Sequence, residues 1–150
     1  MSTSPYRKFV PAVLAIAQMS KDRSTKVGAL ALGPGREIRS AGYNGFPRGV
    51  NDDVEERHDR PLKLQVTAHA EENAVAQAAR SGVSLEGCTL LVSTLYPCST
   101  CARLIIQAGI RQVVALKVDS TRMERWADEW EVSKQMFAEA GVEFSEVTDG

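Results

Sequence analysis

The order in which two hydrophobic periods succeed one another limits this chain to a small set of folds. Short, nearly unbroken apolar runs at residues 88–94, 112–117 and 142–147 alternate with longer helix-favouring stretches at 97–109 and 123–140. Such runs are buried strands, and strands linked through helices place those helices on the faces of the sheet. Upstream, the extended patterns at 26–32 and 37–43 flank Gly33-Pro34-Gly35, a strong turn signal, and predict a β-hairpin. An alanine-rich helix over 69–80 ends at Ser81-Gly82. A first helix over 5–20, opened by Pro5, carries Val10, Val13, Leu14, Ala17 and Met19 at roughly helical spacing. The expectation is an α/β protein: a mixed sheet with helices on both faces, in one domain spanning 1–150. At 150 residues and 43% apolar content, one packed core is within reach.

Asn44-Gly45-Phe46-Pro47-Arg48-Gly49 cannot continue a strand, so residues 44–61 read as a long loop of the kind that often carries function. Lys and Arg total 18 against 19 Asp and Glu, a net charge of −1 without long single-sign runs, which disfavours polynucleotide and membrane-surface partners. Residues 1–7 do not form a basic segment leading into a hydrophobic stretch. No run approaches the ~20 apolar residues of a membrane span, so a cytoplasmic location is expected. Three cysteines, an odd number, argue against a disulfide framework and leave metal binding or chemistry for the close pair Cys98 and Cys101.

His69-Ala70-Glu71 opens one predicted helix and Pro97-Cys98-Ser99-Thr100-Cys101 opens another. Cysteines three apart share a helix face, and the positive end of the helix favours thiolate over thiol, which suits a divalent metal. One imidazole and two thiolates would give Zn2+ three protein ligands and leave the fourth tetrahedral position to water, the arrangement of a catalytic site. The cation lowers the pKa of that water from 15.7 toward about 7, so hydroxide becomes available as a nucleophile. Glu71, two residues beyond His69, is placed to carry protons from water to a ring nitrogen and then to departing ammonia. The pattern H-x-E with P-C-x-x-C is similar to the signature of zinc nucleobase deaminases, and the reaction is taken from that class.

Plainer readings compete. A lone C-x-x-C could be a redox pair or half of a structural zinc site, with Glu71 merely capping its helix. A structural site needs a fourth ligand, and only His58, in a charged loop, and Cys88, at the start of a buried strand, are left as imidazole or sulfur donors.

Beyond these two motifs, the segments His69-Ala70-Glu71-Glu72-Asn73-Ala74, Pro97-Cys98-Ser99-Thr100-Cys101-Ala102 and 104–110 resemble the deoxycytidylate deaminase family. So do Ser20-Lys21-Asp22, Val27-Gly28-Ala29 and Gly42-Tyr43-Asn44-Gly45-Phe46-Pro47, and the likeness runs from the first helix to about residue 118. The resemblance implies a three-layer α/β/α cytidine deaminase-like fold with a five-stranded mixed sheet. It also implies conversion of deoxycytidylate to deoxyuridylate and ammonia, and a homo-oligomer between dimer and hexamer. It matches His69, Cys98 and Cys101 to zinc ligands, Glu71 to the proton shuttle and Asn44 to the residue holding the sugar or phosphate end. Ala70 is a further candidate substrate contact, and Lys26 and Arg23 are the nearby candidates for phosphate. Members of the family can be regulated by deoxynucleoside triphosphates with Mg2+, and residues 44–53 are where such a site is expected here.

The departure lies in the final third. The family commonly places a tyrosine and acidic residues after the fourth strand, whereas this chain has Lys117-Val118-Asp119-Ser120-Thr121-Arg122, then Trp126 and Trp130. The two tryptophans are four apart and share a helix face, fit for core or subunit packing or for a lid over a bare ring. A free base such as cytosine or isocytosine is therefore the alternative substrate. Deamination within a nucleic acid is disfavoured because no basic stripe with interleaved aromatics is present.

Overall fold

In the computed structural model, which describes residues 4–94, 96–117 and 120–149, strand β1 (Gly28–Leu32) is buried at all five positions. It lies inside a five-stranded sheet of order β2-β1-β3-β4-β5. The other strands are β2 (Ile38–Tyr43), β3 (Thr89–Val92), β4 (Gln112–Leu116) and β5 (Glu143–Val147). β1 pairs antiparallel with β2 and β3, while β3, β4 and β5 run parallel, so the sheet is mixed as expected. β3 is also wholly buried, and the edge strands β2 and β5 expose part of their length. Continuous apolar runs thus went to the centre and mixed patterns to the rims. The hairpin turn at Gly33 closes as its N–H donates to the Glu37 carbonyl at 2.8 Å.

The period of two divides the core. On one face Leu30, Leu32, Leu91 and Val114 pack against Val10 and Val13 of α1 (Val10–Ala17). On the other, Ala29, Ala31, Leu90, Val92 and Val113 meet three helices: α3 (Ala70–Ser81), α4 (Ser99–Gln107) and α5 (Ser120–Ala140). Two glycines let helices approach closely. A Cβ at Gly28 would stand 2.5 Å from the Val13 carbonyl oxygen of α1, and one at Gly42 would stand 2.4 Å from the Ala74 nitrogen of α3. Gly42 therefore sets the height at which the first turns of α3 sit on β2.

Several boundaries differ from expectation. The first helix does not open at Pro5: a 3-10 turn (Arg7–Phe9) precedes α1, whose first turn instead holds Pro11, where a missing N–H costs nothing. The segment expected as one long loop contains a 3-10 turn (Glu55–His58) and leads into an unforeseen short helix, α2 (Leu62–Val66). α5 begins at Ser120, three residues earlier than its pattern suggested. Val118 and Asp119 of the divergent stretch lie outside the described residues. Among the described residues no helix is long and apolar enough to cross a membrane.

Candidate metal centre and adjoining cleft

Two helix starts converge on one point. His69 is the residue before α3 and Cys98 the residue before α4, both with extended backbone. Cys98 caps its helix through sulfur, accepting from the Cys101 N–H at 3.5 Å. The His69 Nδ1 atom lies 3.3 Å from Cys101 Sγ and 3.4 Å from Cys98 Sγ. All three donor atoms fall within 4.8 Å of one another, and they are the metal-competent group of this kind among the described residues. Zn–S bonds of about 2.3 Å and Zn–N bonds of about 2.0 Å at tetrahedral angles require N···S spans of about 3.5 Å, and both N···S distances here match that span.

Charge is poised for a cation. The bond from the Cys101 thiol is the largest influence on Cys98, and with His69 it brings Cys98 down to about 4 against the opposing effect of burial. Cys101, as the donor to that thiolate and buried, is pushed up. The bond to Cys98 raises His69 to about 9. A cation at this point would take the place of the protons these groups share.

Neither remaining candidate fourth ligand joins the group. His58 stacks 5.0 Å from Phe46 with Nε2 2.6 Å from the Asp52 carbonyl, and Cys88 is buried in the core with Arg39 Nη1 at 3.7 Å. Cap duty at α3 falls to Glu72, whose Oε1 accepts the His69 N–H at 2.9 Å. Glu71 is instead 5% exposed and lines a cleft together with His69 and Cys98. Burial pushes its carboxyl up to about 7, and the nearby His69 charge only partly opposes this.

That cleft, of about 170 Å3, also holds Ala70, Asn44 and Trp126. Asn44 is buried and works on the backbone: its Oδ1 accepts the Val27 N–H at 2.8 Å and its Nδ2 donates to the Thr25 carbonyl at 2.9 Å. The tryptophans part company. Trp126 faces the cleft with its Nε1–H donating to the Tyr96 carbonyl at 2.7 Å, whereas Trp130 packs among Tyr96, Phe137 and Phe144. A neighbouring cavity of about 260 Å3 lies beside the metal-competent cluster rather than at it, and shares Asp22, Asn44 and Lys63 with the cleft.

The two cations expected near phosphate are not in the cleft. Lys26 is exposed and lines neither cavity, and Arg23 lines only the larger one, paired with Glu55 at 2.6 Å. Cleft residues that sequence reasoning missed include Lys63, Arg60, Thr67 and Tyr96. Lys63 and Arg60 sit at or beside a five-residue helix too short to show a periodic signal.

This sheet order, with a buried glutamate lining the same cleft as the His-Cys-Cys cluster, is the architecture of a zinc-dependent deaminase. Residues 3–117 match the family described as the cytidine and deoxycytidylate deaminase zinc-binding region, and the chain belongs to it. An uncharacterised deaminase from the luxG 3′ region of Aliivibrio fischeri is 42% identical over 137 residues, covering 91% of this chain and 89% of that protein. Deoxycytidylate deaminase of Homo sapiens is 35% identical over 143 residues, covering 91% and 75% respectively. Among solved structures, dCMP deaminase from the cyanophage S-TIM5 in complex with dCMP and dUMP aligns with a TM-score of 0.75. It is 26% identical and covers 98% of this chain and 99% of that one.

Proposed function

We propose that this chain hydrolyses the exocyclic amino group of deoxycytidylate to give deoxyuridylate and ammonia, with His69, Cys98 and Cys101 as zinc ligands and Glu71 as proton carrier. The observation that carries the reading is one buried carboxyl, Glu71, lining a cleft with His69 and Cys98 of the three-donor cluster. The identities of the relatives support the substrate. Zinc held by His69, Cys98 and Cys101 would supply Lewis acidity and would make water a stronger acid at neutral pH.

Glu71 does the proton work. A carboxyl poised at about 7 both accepts and gives protons readily at neutral pH. It takes a proton from the attacking water, delivers one to ring N3 and passes the next to the leaving amine. The water oxygen ends as the C4 carbonyl, the C4–N bond breaks, and the two water protons finish on N3 and on ammonia. Cys98 and Cys101 hold their positions through the α4 cap, and Trp126 walls the cleft where a planar ring would lie. Asn44 and Ala70 bound the side nearer the sugar.

The same reading includes a homo-oligomer between dimer and hexamer and a cytoplasmic setting. Triphosphate regulation with Mg2+ belongs to it if deoxynucleoside triphosphates alter turnover, and the larger cavity, lined by Asn44, Phe46 and Arg48, is the place to look. Ammonia release from deoxycytidylate, deoxycytidine, cytosine and isocytosine, assayed in parallel on zinc-loaded protein, tests the function. Exclusive turnover of a free base would replace deoxycytidylate with the alternative substrate, and no release from any of the four would end the deaminase reading.

A further inference from the structure

We infer that Tyr96 is a positioning residue for the metal centre: through it, Glu146 of β5 and Trp126 of α5 hold the segment that carries Cys98, so the divergent final third of the chain sets how tightly zinc is gripped. The inference rests on the zinc assignment within the deaminase reading and adds to it the elements that keep the donors in place.

Tyr96 stands two residues before Cys98 and is 6% exposed. Its hydroxyl, ring and carbonyl are each held by α5 or β5. The hydroxyl donates to Glu146 Oε2 at 2.6 Å, and so short a bond is characteristic of a carboxylate acceptor. The ring meets Trp130 and Phe144 edge-on, with centroids 5.0 and 5.2 Å away. The carbonyl accepts the Trp126 indole N–H at 2.7 Å. Ser99, between the two cysteines, adds a longer link from α4 to α5, its Oγ donating to Glu129 Oε2 at 3.4 Å.

Strand periodicity explains the reach of Glu146. Phe144 packs on the side of the sheet that meets α3, α4 and α5, and Val147 on the side that meets α1. Glu146, two beyond Phe144, is therefore directed to the helix side where Tyr96 lies, although its residue is exposed.

The metal centre needs such a hold because its donors come from separately supported pieces. His69 begins α3, whose height on β2 is set by Gly42, whereas Cys98 begins α4. His69 Nδ1 and Cys98 Sγ, 3.4 Å apart, keep that spacing only if both helix starts are fixed. Tyr96 fixes the second. Groups that orient metal ligands tune metal affinity without touching the ion.

The test measures zinc affinity by competition with a colorimetric chelator, and the visible spectrum of the Co2+-substituted protein. The proteins are wild type, Tyr96→Phe, Glu146→Ala, Glu146→Gln, the double variant Tyr96→Phe/Glu146→Ala, and Gly28→Ala as a control that disturbs the opposite face. Tyr96→Phe and Glu146→Ala should each weaken zinc binding about three- to tenfold and shift the cobalt bands. The double variant should bind no more weakly than the singles, because both remove one bond. Glu146→Gln keeps an acceptor and should stay within about twofold of wild type. Gly28→Ala should lower Tm and leave both metal readouts in place. Glu146 is exposed, so Glu146→Ala tests the inference even where Tyr96→Phe folds poorly. Unchanged zinc affinity in both single variants, losses that add in the double variant, or an equal loss in Gly28→Ala would overturn the inference and leave the deaminase reading standing. The expected metal pattern in a protein that releases ammonia from no substrate would uphold the inference and end that reading.

Discussion

The indole N–H of Trp126 donates to the carbonyl of Tyr96 at 2.7 Å, tying α5 to the segment that leads directly into Cys98. The ring is thus held as a fixed wall of the cleft rather than a free lid. Trp126→Phe should keep the wall but lose the tether, raising KM for dCMP by about two- to fivefold. Trp126→Ala should remove both, with a loss in kcat/KM of about 10- to 100-fold. Steady-state kinetics on the two variants checks this; equal effects from both would mean that the tether, not the aromatic surface, matters.

Glu71→Gln keeps shape and burial but removes the titrating proton. Turnover should fall by about 10²- to 10⁴-fold while zinc content per chain stays at the wild-type value. Metal analysis beside the ammonia assay separates loss of the proton carrier from loss of the site.

Gly42 and Gly28 touch different helices and predict different phenotypes. Gly42→Ala forces a Cβ against Ala74 N and the Ala70 carbonyl oxygen, lifting the helix start that carries His69 and Glu71, so both stability and activity should drop. Gly28→Ala strikes Val13 and Ala17 of α1 on the opposite face, and should destabilise by a similar ~1–3 kcal/mol with a much smaller effect on kcat in the folded fraction. Thermal melts paired with kinetics distinguish them.

Stability should depend on pH through Asp22. Burial raises its carboxyl, but hydrogen bonds from the Ser24 and Thr25 N–H groups and from Lys63 outweigh burial and hold it below its ordinary value. The native state then binds this proton more weakly than the unfolded chain, whose Asp titrates near 3.9, so the contribution is complete above that pH. It is lost as pH falls through the lower native value. The Tm gap between wild type and Asp22→Asn should accordingly be widest at neutral pH and close in acid.

Chelation should abolish ammonia release and lower Tm by several degrees, and one equivalent of zinc per chain should restore both. Full activity after exhaustive removal of metal would refute the assignment of His69, Cys98 and Cys101.

Much of this was legible in the residue string, for identifiable reasons. Turn chemistry at Gly33-Pro34-Gly35 and buried runs such as Leu90–Val92 are local signals, and so is the spacing of Cys98 and Cys101 on one helix face. Lys63 was not legible, because its partner Asp22 lies 41 residues away and α2 is too short to announce itself. Lys26 misled through proximity. It sits exposed between Thr25 and Val27, both of which line the cleft, and neighbours in a chain leading into a strand face opposite sides. Trp126 and Trp130 shared a face on paper, yet one covers a cleft and the other fills a core, a division set by β5 and Tyr96 rather than by the helix itself.

His69 and Cys98 are separated by 29 positions, and each begins a helix. An ion gripping both closes the intervening chain into a ring, which shrinks the freedom of the unfolded polypeptide as a covalent crosslink would. The reagent that readies this protein for chemistry is then also its clasp, reversible and independent of any oxidant.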